Sequence, residues 1–156
     1  ILTEYGFQAE VQVAQLGVEL HQGDASSQNV GWRITEAGKE IVVFDLDFSV
    51  GQRFYDFCNV LGALEGSTLS REALASHFLA EYVRYGGTPI PLDNFLEALN
   101  WVSDIVLLWS LPWFLEMAQS GEVDWTDDVE AGKARFQQWL LDGVKQLLQS
   151  AASSLR

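Results

Sequence analysis

Residues 21–56 read HQGDASSQNVGWRITEAGKEIVVFDLDFSVGQRFYD, and the fold assignment starts from this stretch. Two short apolar runs, residues 30–34 and 40–44, flank Glu36-Ala37-Gly38-Lys39. Two short apolar strands, rich in β-branched and aromatic residues, about a glycine-containing segment predict an antiparallel hairpin. Pairing about Ala37 sets residue 30 opposite 44 and Asn29 opposite Asp45, with side chains about 5 Å apart. Alternation then places Asp45 and Asp47 on one face and turns Phe44, Leu46 and Phe48 toward the core. Amide and carboxylate oxygens at one end of a hairpin suit a hard cation. Magnesium is the natural candidate, with water and phosphate filling the remaining positions.

Asp24 precedes Asn29 by five residues, the spacing of a kinase catalytic loop. There the aspartate receives the proton of the acceptor hydroxyl, the asparagine holds one metal ion and a later aspartate holds another. Phosphoryl transfer asks for little covalent help, so positioned carboxylates and oxygen-ligated cations are most of the machinery. The string His21-x-Gly23-Asp24-x-x-x-x-Asn29, followed by Phe44-Asp45-x-Asp47 and Arg53-Phe54-Tyr55-Asp56, resembles the catalytic segment of the aminoglycoside phosphotransferase and choline kinase superfamily. The run from Asn29 to Asp47 is also similar to homoserine-kinase-like and stress-response kinase relatives within that group.

The resemblance covers residues 21–56 closely, and the remainder agrees only in being helical. It implies an α+β fold, mainly α: a kinase-like C-terminal lobe with a small β-hairpin beside the catalytic loop and a helical bundle. The implied activity is ATP-dependent transfer of the γ-phosphoryl group to a small-molecule hydroxyl on an aminoglycoside, choline or homoserine-like acceptor. ATP is the nucleotide and Mg2+ the metal. Position by position, Asp24 is the implied catalytic base, Asn29, Asp45 and Asp47 the metal ligands, and His21 and Asp56 the supports of the catalytic loop. Ala25, Ser26, Ser27 and Gln28 depart from the Leu- or Pro-containing loops common in that superfamily, which leaves the acceptor open. A protein Ser/Thr kinase of the same superfamily is one alternative, and a non-catalytic kinase-like binding or regulatory module is another.

The chain has 156 residues, with 22 acidic and 9 basic side chains and a net charge of −13. That charge opposes capture of nucleic acid or of an anionic membrane surface. The lone Cys58 cannot form an internal disulfide and suits a cytoplasmic setting, where it reads as an inert core thiol. With only His77 and Cys58 besides His21, nothing completes a zinc site. The most apolar run, residues 105–115, falls short of the roughly 20 residues a membrane span needs and reads as core. One domain is the default for this length. The sequence holds no glycine-rich phosphate loop and no strand lysine, so an N-terminal nucleotide-binding lobe is expected ahead of Ile1.

From about residue 70 the pattern becomes helical. Ser70 caps a first helix with Leu74, Phe78, Tyr82 and Tyr85 on its apolar face, stopped by Gly86-Gly87. A second follows Pro91, carries Phe95, Leu99, Val102 and Trp109, and is ended or kinked by Pro112. A short third runs to Gln119, and a fourth, capped by Thr126, carries Phe136, Trp139, Leu140 and Leu147 before a frayed end from residue 150. Between residues 85 and 132 there are nine carboxylates and no lysine or arginine. Trp101, Asp104, Trp109, Trp113 and Glu116 fall in the region expected to face the acceptor, and an acidic, aromatic surface favours a cationic one.

Overall fold

Gly17, Gly38, Gly86 and Pro91 set four of the boundaries. The computed structural model describes residues 1–23, 29–45, 48–63, 68–120 and 129–154. The elements in order are α1 (Leu2–Leu16), β1 (Val18–His21), β2 (Val30–Thr35), β3 (Gly38–Val43), β4 (Ser49–Gln52), α2 (Tyr55–Ala63), α3 (Arg71–Arg84), α4 (Leu92–Ser120) and α5 (Val129–Ser154). Of the described residues 69% are helical and 15% are strand, so the fold is α+β and mainly α. The strands form two antiparallel pairs, β1 with β4 and β2 with β3.

The chain divides into two compact units, Gln12–Ser103 and Ile1–Val11 with Asp104–Arg156. In the first, α2, α3 and the start of α4 enclose Phe54, Phe57, Ala75, Leu79, Phe95 and Leu99. The rings interlock: Phe54 meets Phe95 edge-on at 4.8 Å and Phe57 stacks on Phe78 at 4.1 Å. Aromatic pairs in these geometries contribute about 0.5–1.5 kcal/mol each beyond the area they bury. The α3 helix starts where Ser70 Oγ accepts the Ala73 N–H. It ends in a Schellman turn, with Gly87 N–H bonded to Tyr82 O and Gly86 N–H to Val83 O. Gly86 takes the positive φ, 93°, that such a turn requires. Tyr85 is the C-cap and lies exposed, off the apolar face on which the sequence placed it.

In the second unit Tyr5, Ala9, Ile105, Phe136, Leu140, Leu147 and Ala151 are buried. A Cβ on Gly143 would sit 2.9 Å from Leu107 Cδ2, so the absent side chain lets α5 approach α4 closely. Within this apolar surround Tyr5 donates its hydroxyl to Asp104 Oδ2 at 2.6 Å, and Gln146 Nε2 reaches Asp104 Oδ1 at 3.5 Å. Burial, then the hydrogen bond and charge of Asp104, push the Tyr5 phenol well above its ordinary value.

Several sequence expectations are corrected here. The front of the chain is not only β-rich: α1 and α2 flank the strands. The expected break at Pro112 does not divide the helix, because α4 runs unbroken through it for 29 residues. Trp109 and Trp139 are exposed rather than core. The C-terminal end remains helical to Ser154 with Ala151 fully buried, where fraying was expected from residue 150. The Thr126 cap lies outside the described residues. By length and composition α4 is the one described helix long and apolar enough to cross a bilayer, a test that core helices also pass. Phe95, Leu99, Val102 and Ile105 along it are buried within the protein.

Candidate functional site

The hairpin forms, but in a register one residue away from the expected one. Val30 lies opposite Val43, Trp32 opposite Ile41, Arg33 opposite Glu40 and Thr35 opposite Gly38. Glu36 and Ala37 alone make the turn. They avoid positive φ while Gly38 adopts 128°, and the Thr35 hydroxyl donates to Gly38 O across the closing pair. This register matches apolar with apolar and sets Arg33 against Glu40, whose charges meet at 2.7 Å. The expected one would have put Arg33 opposite Ile41, and cross-strand matching favours the observed arrangement.

The shift changes the neighbours of the two candidate metal ligands. Phe44, not Asp45, stands across from Asn29, with Phe44 N–H bonded to Asn29 O at 2.7 Å. Asp45 is the next residue, its backbone turned into the left-handed region at φ 49° and its side chain exposed. The strict alternation expected for 44–48 therefore fails at Asp45. Phe44 is 53% exposed and lies over Gly31, where a Cβ would come within 2.9 Å of its ring. Phe48 is also exposed, so neither of these rings joins the core. Even so, Asn29 and Asp45 are gathered at the open end of one hairpin.

A second set of bonds ties this end to the loop that leads into Asp24. β1 ends at His21, opposite Ser49, and Gln22 and Gly23 follow. Asp56, in the first turn of α2, accepts the Gln22 N–H at 2.6 Å and the Gly23 N–H at 3.1 Å. Gly23 has φ 93°, a conformation glycine supplies without strain. Gln22 is only 9% exposed, and its Nε2 donates to Asp45 O at 2.7 Å and, more weakly, to Phe44 O at 3.4 Å. Its Oε1 is sealed from solvent with no hydrogen-bond partner among the described residues.

The α2 end of the site is braced in the same manner. Phe54, buried and at φ 70°, has its N–H held by Glu19 Oε1 at 2.6 Å. The Arg53 guanidinium lies over the rings of Phe54 and Tyr82, hydrogen-bonds the Tyr82 hydroxyl and faces Glu19 at 3.9 Å. A left-handed phenylalanine costs on the order of 1–3 kcal/mol, and these partners hold it in place.

The sequence-predicted residues thus divide. Asn29, Asp45 and Asp56 are brought into one bonded set. Asp24 and Asp47 lie outside the described residues. His21 contributes backbone pairing to β1; the described bonds that secure the loop come from Asp56 and from Gln22, a position the sequence analysis left unspecified. Trp101 is half-buried in the Gln12–Ser103 unit, whereas Trp109, Trp113 and Glu116 are exposed along α4 in the other. Asp104, expected on an acceptor-facing surface, is 2% exposed and engaged by Tyr5 and Gln146.

Among the described residues no three His, Cys, Asp or Glu side chains gather as a metal centre. Magnesium needs less, often one or two carboxylates with water and phosphate completing an octahedron. The hard oxygens of Asn29 and Asp45 fit that demand in kind. No family model, no curated protein and no solved structure matches the chain.

Proposed function

We propose that the protein is an ATP-dependent phosphotransferase that moves the γ-phosphoryl group to the hydroxyl of a small molecule, and that this chain supplies the kinase-like lobe carrying the base and metal ligands. The observation that carries the reading is the pair of ties at Gln22 and Gly23. Asp56 grips the backbone just before Asp24, and the Gln22 amide grips the backbone carbonyl of Asp45, which lies beside Asn29. The chain entering Asp24, the chain at Asp45 and the start of α2 are thereby fastened together, and Asn29 joins them through the Phe44 N–H.

In this reading Asp24 orients the acceptor hydroxyl and takes its proton as the oxygen attacks the γ-phosphorus and the bond to the bridging oxygen breaks, releasing ADP. Asn29 and Asp45, with Asp47, hold magnesium, which when bound neutralises charge on the phosphates. Asp56 keeps the loop backbone from drifting, the kind of positioning on which in-line transfer depends. The glycine-rich loop and the lysine that contact the nucleotide phosphates are assigned to a separate lobe; Lys39, which the structure places on a strand although the sequence reading expected no strand lysine, sits in the hairpin opposite Ile34. An acidic chain with one free thiol suits a cytoplasmic enzyme acting on a cationic hydroxylated metabolite.

The test is turnover of Mg·ATP by the whole polypeptide across a panel of aminoglycosides, amino alcohols and hydroxylated amino acids. Asp24→Asn is expected to lower turnover by about 10²–10⁴-fold with nucleotide affinity retained. Equal turnover by the variant contradicts the proposal.

A further inference from the structure

We infer that Gln22 is a positioning residue for Asp45: its side-chain amide clamps the chain where β3 ends and so fixes where the Asp45 carboxylate can hold a divalent ion. The inference rests on the metal-site reading above and adds to it a residue that the motif leaves unspecified.

Four observations converge on this side chain. It is nine-tenths buried, although glutamine at a strand end ordinarily lies in water. Its Nε2 donates to the carbonyls of both Phe44 and Asp45. Asp45 holds a left-handed φ of 49°, a conformation aspartate tolerates better than most residues, and the Gln22 amide is bonded to that residue's own carbonyl, which helps to fix it. Finally, Gln22 Oε1 is sealed with no donor facing it among the described residues. A buried polar atom without a partner is a liability for stability, and an apolar side chain of the same volume would avoid it. What the amide provides in return is a neutral donor to two backbone carbonyls. A lysine or arginine there would bring a positive charge beside Asp45 and compete with the ion, while asparagine is one methylene too short to reach. With its N–H gripped by Asp56, Gln22 is held at the backbone as well as at the tip, which ties it both to α2 and to the chain just after β3.

Manganese is the probe, because it takes the same oxygen ligands as magnesium and broadens the NMR signals of nearby amides. In the intact chain Mn2+ is expected to broaden the Asn29 and Asp45 amides, and Asp45→Asn to abolish this. Gln22→Met removes the donor and the orphaned oxygen together. It is expected to leave the melting temperature within a few degrees and to weaken Mn2+ binding by about 10–100-fold, the usual effect of losing a group that orients a ligand. Gln22→His, which restores a neutral N–H of similar reach, should recover most of the affinity. If Gln22→Met does not fold, Gln22→Asn decides the question: it keeps the amide but cannot span to Asp45, and weak binding is expected. Wild-type affinity in a folded Gln22→Met or Gln22→Asn chain overturns the inference while leaving the metal site intact. If the wild-type chain itself shows no broadening at Asp45, the metal-site reading fails and the inference falls with it.

Discussion

Asp56 and Cys58, two residues apart in α2, are set up for opposite ends. The Asp56 carboxylate accepts two backbone N–H groups of the loop before Asp24. Asp56→Ala strands both donors, and urea denaturation should show a loss of about 1–3 kcal/mol. If the chain is the proposed phosphotransferase, turnover should fall by more than that loss of folded protein explains, because the chain leading into Asp24 is freed. Cys58 packs against the aromatic core, and burial pushes its thiol up to about 12, with the Arg71 charge pulling weakly the other way. An acid whose pKa is raised on folding keeps its full stabilising effect below the unfolded value, near 9, and loses it as pH climbs from there toward 12. Alkylation of Cys58 by iodoacetamide at pH 8 should accordingly be slow in the native chain and fast in urea, and equal rates would refute the assignment. The partnership of Asp56 with the loop was legible from the motif that contains both. Gln22 was not, because a glutamine between a histidine and a glycine has no local signal; only the fold reveals that its amide reaches residues 22 and 23 positions further on.

At the scale of elements, boundaries marked by side-chain chemistry could be read and those decided by pairing could not. Ser70 announces α3 because its hydroxyl meets the Ala73 N–H. The Glu72 carboxyl is held below its usual range by its own backbone N–H and the Ser70 hydroxyl, which reinforces the same first turn. Ser70→Ala should cost about 1 kcal/mol by thermal or urea unfolding, with the hairpin and the Asp56 ties unaffected. The hairpin register was missed by one residue because alternation is equally satisfied by a two- or a three-residue turn, and the contest is settled by Arg33 meeting Glu40 and Trp32 meeting Ile41. α1 went unread because Gly6 and the valines at 11 and 13 weaken helical propensity, while its stability comes from burial of Tyr5, Ala9 and Val13. Pro112 misled in the other direction: α4 absorbs it without ending.

For the whole molecule, hydrophobic periodicity was enough to give an α+β fold dominated by helix, since long stretches of helical spacing outweigh a few short strands. The division into two compact units was not visible, because α1 and α4 each contribute residues to both and no linker marks the boundary. The buried Tyr5–Asp104 pair, which the exposed Gln146 also reaches, shows why charge counting along the chain overstated its acidic surface: one carboxylate of that count is spent on hydrogen bonds within the protein. What unites these scales is the claim that folding draws the Asn29 amide, the Asp45 carboxylate and the loop entering Asp24 around one divalent ion. The most direct measurement is the anomalous scattering of Mn2+ in crystals of the protein grown with a non-hydrolysable ATP analogue. The account predicts a peak within coordination distance of the Asn29 and Asp45 side-chain oxygens and beside the phosphates. A peak elsewhere, or a well-ordered nucleotide with these two side chains turned apart and no metal between them, would contradict it.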